Sequence, residues 1–441
     1  QESKMNIFEE FIVKKKKIIS WNNTHKKIGI KVYPRNVLEL KKIMLKLKKN
    51  KKYYIIKTGA CSYGSKSIHA NNDTFVISLK KFNKITLINK KKKFIDIEVG
   101  AKIKDVVKEL KKHKLTLYSV PGGEHISIGG AISANVIGKD SSKSISCFGD
   151  GIIDLEILDE NNKVKIFKKS KNINNYVGAL GTTGLMLKAR LKIKEIKSPN
   201  LYVQSIILKN LKEIKNELNK KNDYQYIQID PFFRNKNFAI LFKANFIKSE
   251  NNLYKKINLK SYLYERIFFK ISSFFINSFS WNIFYKIFFL INNDKKYYID
   301  LHNYHYSSKY KHMVPLICRG GLYDYEILIK KEFSKSMKKI INFLKENKLL
   351  PIYIVVKKIY KSKNKFFYKF NENGYAVAIS LNKKDINNYK TKLLVNFIEN
   401  EKFKINLSKT DELFIDKINK KNNLFLSLYK KMIVKDNELS R

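Results

Sequence analysis

Pro121-Gly-Gly-Glu-His-Ile-Ser-Ile-Gly-Gly-Ala-Ile-Ser-Ala-Asn-Val-Ile-Gly-Lys-Asp140 holds five of the 17 glycines in a lysine-rich chain of 441 residues. Such a concentration needs a local reason. A residue without Cβ lets backbone N–H groups come close to a ligand and takes up positive φ at little steric cost, as loops that cradle phosphates or flat rings require. Tight turns between strands use the same residues, so the neighbouring segments have to decide.

Upstream, Ile55-Ile-Lys-Thr-Gly-Ala-Cys-Ser-Tyr-Gly64 reads as a short apolar strand that runs into a turn of small residues. Downstream, Cys147-Phe-Gly-Asp-Gly-Ile-Ile-Asp-Leu-Glu-Ile-Leu158 leads through Asp159-Glu-Asn-Asn162 to a second strand from Val164, a hairpin signature. Gly178-Ala-Leu-Gly-Thr-Thr-Gly184 then opens onto the strand-like run Leu185-Met-Leu-Lys-Ala-Arg-Leu191.

In this order the four segments resemble the flavin-binding domain of the vanillyl-alcohol-oxidase/PCMH superfamily of FAD-linked oxidoreductases. Within it, Ser127-Ile-Gly-Gly-Ala-Ile-Ser-Ala-Asn135, Gly138-Lys139 and Cys147-Phe-Gly-Asp150 are most similar to the decaprenylphosphoryl-β-D-ribose 2′-oxidase family. The resemblance implies an α+β fold. A PCMH-type FAD-binding domain of two α/β subdomains spans 1–196, and a substrate domain with an antiparallel sheet flanked by helices spans 197–404. A terminal segment, 405–441, returns to the first domain. FAD contacts carried over by motif are Gly59, Ala60, Cys61, Ser62, Tyr63 and Gly64 in the first loop; Pro121, Gly122, Ser127, Gly129, Gly130, Ala131, Ser133, Ala134 and Gly138 in the second; and Gly181 and Gly184 in the third.

Two departures bear on chemistry. The relatives carry His before the Gly-Lys pair, where this chain has Ile137. Sugar-lactone and alditol oxidases of the superfamily bond a first-loop His covalently to flavin, whereas the nearest residue here is Cys61. Non-covalent FAD is therefore expected.

The formal charge of +52, from 90 Lys and Arg against 38 Asp and Glu, invites a nucleic-acid reading. The basic residues are mostly Lys, spread along the chain among abundant Asn and Ile. That pattern fits A/T-rich codon usage, and Arg, which reads guanine bidentately, is scarce. Nucleic acid is not the expected partner; anionic headgroups and phosphorylated substrates are, with strong salt dependence. Three cysteines, Cys61, Cys147 and Cys318, are too scattered for a disulfide framework or zinc site. Lys14 to Lys17 follow Phe11-Ile-Val13 at once, so no secretory signal is read. The expected location is the cytoplasm or the inner face of the cell membrane.

Beyond Pro199, Tyr224-Gln-Tyr-Ile-Gln-Ile-Asp230 alternates as an antiparallel strand with one covered face, and Phe238 to Ala244 reads as another strand. Residues 267–291 are aromatic-rich. Read as a helix, they place Lys270, Ser273, Asn277 and Ser280 on a polar stripe and Ile267, Phe268, Ile271, Phe274 and Phe275 on an apolar face. Two placements fit: a core helix, or a membrane-interface helix with Trp281 and Tyr285 at the polar boundary.

An alcohol oxidation over flavin needs the substrate carbon held at the ring and a base for the hydroxyl proton. By resemblance, Tyr63, Lys409 in Leu407-Ser-Lys-Thr-Asp411, and Lys358 in Val355-Val-Lys-Lys-Ile-Tyr360 fall on catalytic positions, Lys409 also touching FAD. Lys139, Tyr304, Glu326, Lys358 and Tyr360 fall on substrate positions. The family's Asn and Cys in the next strand are Ala376 and Ala378 here. The implied reaction oxidises a secondary sugar hydroxyl, the 2′-hydroxyl of a polyprenyl-phosphate-linked ribose, to a keto-sugar. It forms half of a two-step epimerisation that a partner keto-reductase completes. Two other readings stand beside it: an aldonolactone or alditol oxidase with a soluble substrate, and a non-catalytic basic membrane- or nucleic-acid-binding protein on a flavin scaffold.

Overall fold

The computed structural model describes residues 10–410 apart from 25, 53, 60–74, 124, 141–145, 160, 169–172, 182, 248–270, 273, 307–317, 319, 368–369 and 371. Ala60, Cys61, Ser62, Tyr63 and Gly64, the start of the aromatic-rich run, and the end of the chain after Thr410 lie outside those residues.

Among the described residues the strands form three sheets. The first joins β1 (Val13–Ile19), β2 (Lys26–Val32), β3 (Tyr54–Lys57) and β4 (Phe75–Ser78) in the order β1-β2-β4-β3. β1 and β2 pair antiparallel, while β2 and β3 both run parallel to β4. Helix α1 (Val37–Lys49) follows β2. Asn36 starts it, accepting a 2.9 Å hydrogen bond from the Glu39 N–H, and Leu40, Ile43 and Leu47 form its buried stripe. Lys14 to Lys17 stand exposed on the edge strand β1, where charge discourages pairing with another chain.

The second sheet contains β5 (Ile85–Asn89), β6 (Phe94–Glu98), β7 (Leu115–Leu117), β8 (Ile152–Leu158), β9 (Val164–Lys168) and β10 (Leu185–Glu195). Its spine is the long β10, which pairs antiparallel with β6, β7 and β8. The hairpin read from Cys147 to Val164 is β8–β9, closed where the Asp159 carboxylate accepts from the N–H groups of Asn161 and Lys163. Helices α2 (Ile103–Lys111) and α3 (Ile128–Ala134) connect it to the glycine-rich loops.

The third sheet is antiparallel throughout: β11 (Asn200–Leu208), β12 (Tyr224–Ile229), β13 (Ala239–Phe246), β14 (Lys296–Asp300), β15 (Leu322–Ile329), β16 (Pro351–Ile359), β17 (Gly374–Asn382) and β18 (Lys404–Ile405), in the order β14-β11-β13-β12-β16-β17-β15-β18. Around it lie α4 (Leu211–Asn219), α5 (Ser278–Asn292), α6 (Leu301–Tyr306), α7 (Phe333–Glu346) and α8 (Asn388–Asn400). One face carries Ile227, Ile327, Val356 and Val377 against α4, α7 and α8. Burying the α7 residues Phe333, Met337, Ile340 and Leu344 stabilises this layer by about 1.5–3 kcal/mol each. The other face turns to the first two sheets, so β15 and β17 are buried along their whole length. Asn22 clasps β15, donating through Nδ2 to the Leu322 carbonyl and accepting from its N–H, both at 2.9 Å.

The aromatic-rich run is not one continuous helix. Asn277 begins α5, its Oδ1 accepting from Ser280 N–H while Ser280 Oγ accepts from Asn277 N–H. Two of the four residues of the expected polar stripe are thus spent on a cap. Trp281 and Tyr285, expected at a polar boundary if the helix lies in an interface, are instead buried, and both donate to the Ile352 carbonyl. The opposite side of α5 is exposed and apolar: Phe279 is 74% and Leu290 77% accessible, with Ile283, Ile287 and Ile291 between or beside them. Among the described residues, no helix is long and apolar enough to cross a membrane.

Candidate active site

The glycine-rich loop is built by close approach. Ser127 starts α3, its Oγ accepting from Gly130 N–H at 3.2 Å and sharing a 2.7 Å hydrogen bond with Thr58 Oγ1. A Cβ on Gly129 would stand 2.9 Å from the Thr58 methyl and 3.0 Å from Val99 Cβ, and one on Gly59 would stand 2.8 Å from Ser127 Oγ. Gly129 N–H donates to the Val99 carbonyl at 2.8 Å and Ile128 N–H to that of Ala101 at 2.9 Å. The reason first read for these glycines, free N–H groups facing an anion, therefore does not hold at Gly129 and Gly130: their donors are already spent. They let helix, strand end and turn touch.

What faces outward is a surface nearly free of side chains. Gly130, Ser133 and Ala134 are half-buried, and their spacing puts them on one face of α3. The third loop is held against the end of that helix by Gly178 N–H to Ile132 O at 3.0 Å and Leu180 N–H to Ser133 O at 2.9 Å. Gly181, at φ +81°, has nothing within 4 Å of where a Cβ would stand. A ledge of this kind fits the flat ring and extended body of FAD. Ala131 turns into the core, Gly184 abuts the Tyr176 ring, and Gly138 leaves room for the Asp140 carboxylate.

Asp140 is buried beside Pro121, accepting from Val120 N–H at 3.0 Å. Burial pushes its carboxyl up to about 6, against the opposing charge of Lys194 and its own hydrogen bonds. The preceding Lys139 projects towards the third sheet. Its Nζ stands 4.5 Å from the centre of the Tyr226 ring and 4.9 Å from that of Tyr304. Gln225 N–H donates to the Lys139 carbonyl at 3.1 Å, joining this turn to β12. Burial, then the charge of Lys357, lowers the Lys139 ammonium to about 7.

Lys357, on β16, reaches the Ile137 carbonyl at 3.5 Å. Burial and the charge of Lys409 lower it to about 8, in spite of Glu326. Lys409 donates to Glu326 Oε1 at 2.7 Å, and Asn406 Nδ2 donates to Oε2. Burial alone would raise the Glu326 carboxyl; Lys409, Lys357 and the hydrogen bonds hold it below the usual carboxylate range. Burial opposes the Lys409 charge as well, but Glu326 and then Asp324 outweigh it, so Lys409 holds its proton more tightly than an ordinary lysine. Two buried carboxylates, Asp324 and Glu326, thus share one face of β15, the former accepting from Ser380 Oγ at 2.7 Å.

Of the residues expected from sequence, Lys139, Tyr304, Glu326 and Lys409 come together here. Lys358 does not. It stands on the other side of β16, its Nζ 4.2 Å from the centre of the Tyr375 ring and 5.9 Å from that of Tyr360. Tyr304 is buried, with no hydrogen-bond partner for its hydroxyl among the described residues. Ile137, at the position where the relatives carry His, packs against the cluster of Leu328, Ile359, Phe370 and Ala376. Lys357, Tyr226, Asn406 and Asp140 were not anticipated. The strand period alone does not select Lys357 over Lys358: Lys358 shares parity with Ile354 and Val356, but Lys357 shares it with Val355 and Ile359.

Residues 29–167 match the family described as FAD binding domain. A curated relative, decaprenylphosphoryl-β-D-ribose oxidase of Mycolicibacterium smegmatis, is 26% identical over 136 residues, 30% of this chain and 29% of that protein. L-Gulonolactone oxidase of Mus musculus is 25% identical over 163 residues, 36% of either chain. The matched stretches thus span about a third of those relatives' lengths. Among solved structures, cholesterol oxidase from Brevibacterium sterolicum has a TM-score of 0.68 at 10% identity, covering 89% of this chain and 84% of that one. The Physcomitrella patens BBE-like 1 protein has a TM-score of 0.64 at 11% identity, covering 90% and 87%.

Proposed function

We infer, for a chain that carries an FAD-binding domain of the PCMH type on the vanillyl-alcohol-oxidase fold, that it is an FAD-dependent oxidoreductase oxidising a secondary hydroxyl of a sugar-like substrate. The observation that carries this reading is the cluster of Lys139, Lys357, Lys409 and Glu326 with Tyr226 and Tyr304, assembled where the third sheet meets the turn after α3. Bound FAD supplies the two-electron acceptor. The ledge of Gly130, Ser133, Ala134 and Gly181 would hold it. The protein's own share is to position the hydroxyl, exclude water and take a proton.

The finer reading is a polyprenyl-phosphate-linked ribose, oxidised at the 2′-hydroxyl to a keto-sugar that a partner keto-reductase then reduces. It is supported by the mycobacterial relative, by the chain's 90 basic against 38 acidic residues, which suits a phosphate, and by the exposed apolar side of α5. That side, on a protein of formal charge +52, suits peripheral contact with an anionic bilayer, and the cell membrane's inner face is the proposed location. A second reading, oxidation of a soluble aldonolactone, is favoured by the gulonolactone-oxidase relative.

Anaerobic titration of the FAD-loaded protein separates them. Loss of the flavin band with polyprenyl-phosphate ribose is the expected result. Loss with an aldonolactone alone would give the second reading, and a band unchanged by either would overturn both.

A further inference from the structure

We infer that Lys139 is the base that takes the substrate's hydroxyl proton, an assignment that rests on the alcohol-oxidising reading above. Three lysines meet at the site, and their commitments differ. Lys409, the base expected by resemblance, is engaged in a 2.7 Å ion pair with Glu326 and has Asp324 nearby. An amine so held carries its proton throughout the neutral range and offers no lone pair. Lys357 faces the same pair and reaches the Ile137 carbonyl. Lys139 forms no ion pair with a carboxylate of the described residues. Its neighbours are two aromatic rings.

The charged and titratable groups around Lys139 come from every element packed on it: Asp140 on its own turn, Tyr226 on β12, Tyr304 on α6 and Lys357 on β16. Asp140 is turned back to Val120 N–H, so it does not neutralise the ammonium by contact. Burial and the Lys357 charge outweigh the attraction of the two rings for an ammonium, so the neutral amine is well populated at neutral pH. In the step, the O–H bond breaks, its electron pair becomes the second bond of the new C=O group, and the proton passes to Lys139 Nζ. FAD, when bound, would supply the acceptor for the C–H electron pair. Lys409, always charged, is left to stabilise negative charge on the reacting oxygen.

Competitive acetylation of the FAD-loaded protein with trace acetic anhydride, from about pH 6 to about pH 10, with each lysine read by peptide mass spectrometry, needs no turnover. Lys139 should label with a midpoint near 7 and Lys409 should resist labelling. A Lys139 midpoint in the ordinary lysine range, or no Lys139 labelling while surface lysines react, would overturn the assignment. Lys139→Met should keep the flavin band but slow its reduction by polyprenyl-phosphate ribose or an aldonolactone by roughly 100-fold or more. It should also lose the rise in rate with pH through neutrality, which Lys409→Met should retain. A Lys139→Met protein that keeps this pH limb also overturns the assignment. Should no alcohol reduce the wild-type flavin, the oxidase reading fails, and the labelling result still reports on the amine alone.

Discussion

Lys357 and Lys358 are consecutive on β16 and serve opposite sides of the sheet: Lys357 reaches the Ile137 carbonyl at 3.5 Å, while Lys358 lies 4.2 Å from the centre of the Tyr375 ring. Pairing enforces the difference. Lys357 sits opposite Ala376 and Lys358 opposite Tyr375, and successive side chains leave a strand on alternate faces.

Replacing each in turn should therefore have unequal effects. Lys357→Ala is expected to cut substrate-driven flavin reduction by roughly tenfold or more, the loss of one charged contact. Lys358→Ala should leave the rate unchanged and lower stability by at most about 1 kcal/mol, the worth of a partly exposed cation–π contact. Stopped-flow absorbance and chemical denaturation of both variants provide the check.

The buried end of the Glu326–Lys409 pair is the carboxylate, with 3% of its side chain exposed against 27% for the lysine. Glu326→Gln removes the partner of a lysine that keeps some access to water, so a loss of about 2 kcal/mol is expected, below the cost of stranding a fully buried charge. Without its anion, Lys409 should release its proton at lower pH. Denaturant midpoints and acetylation of Lys409 in the variant test the two halves.

Glu372 lies between Lys330 and Lys404, which outweigh its burial and lower its carboxyl to about 2. A folded value below the unfolded one of about 4.3 means that its contribution is complete above the unfolded value and is lost as pH falls towards the folded one. Glu372→Gln should therefore destabilise the protein at neutral pH and make little difference near pH 2. Urea melts at the two pH values would show whether the gap closes.

Gly129 and Gly130 should fail in different ways. Valine at 129 would drive a branched side chain into Thr58 and Val99, lowering stability by about 1–3 kcal/mol, as overpacking does. Valine at 130, on the half-buried face of α3, would stand 3.1 Å from Ser127 Oγ at its Cβ, a milder crowding, and should chiefly lower FAD occupancy. The ratio of flavin absorbance to protein, read beside the thermal midpoint, distinguishes lost folding from lost cofactor.

For α5, Phe279→Glu with Leu290→Glu places charge on the exposed apolar side without touching Trp281, Tyr285 or Phe289, which face the sheet. Flotation with vesicles of phosphatidylglycerol should fall several-fold, and high salt should weaken what binding the wild type shows. Equal flotation of variant and wild type would argue against a membrane role for this face.

Local order in the chain was enough for the FAD domain: glycine clusters between short apolar strands and the Asp159 turn of β8–β9 are properties of neighbouring residues, as is the Tyr224 to Ile229 alternation that marks a strand of the third sheet. The resemblance named Lys139 from the glycine-rich loop and Glu326 and Lys409 from two separate later motifs, and folding brings the three segments together. What it could not supply were relations between distant segments. Glu326 and Lys409 are 83 positions apart, and which of three lysines is held by a carboxylate decides which one can lose its proton. The choice between Lys357 and Lys358 was hidden because β16 is buried on both faces, leaving apolar residues at both parities. The glycines of α3 stand out in the sequence, but their packing purpose is tertiary: only the approach of Thr58 and Val99 shows that the missing side chain at Gly129 makes room for protein. Residue order determines backbone preference and hydrophobic period, whereas charge state depends on burial and on partners that folding alone brings within reach.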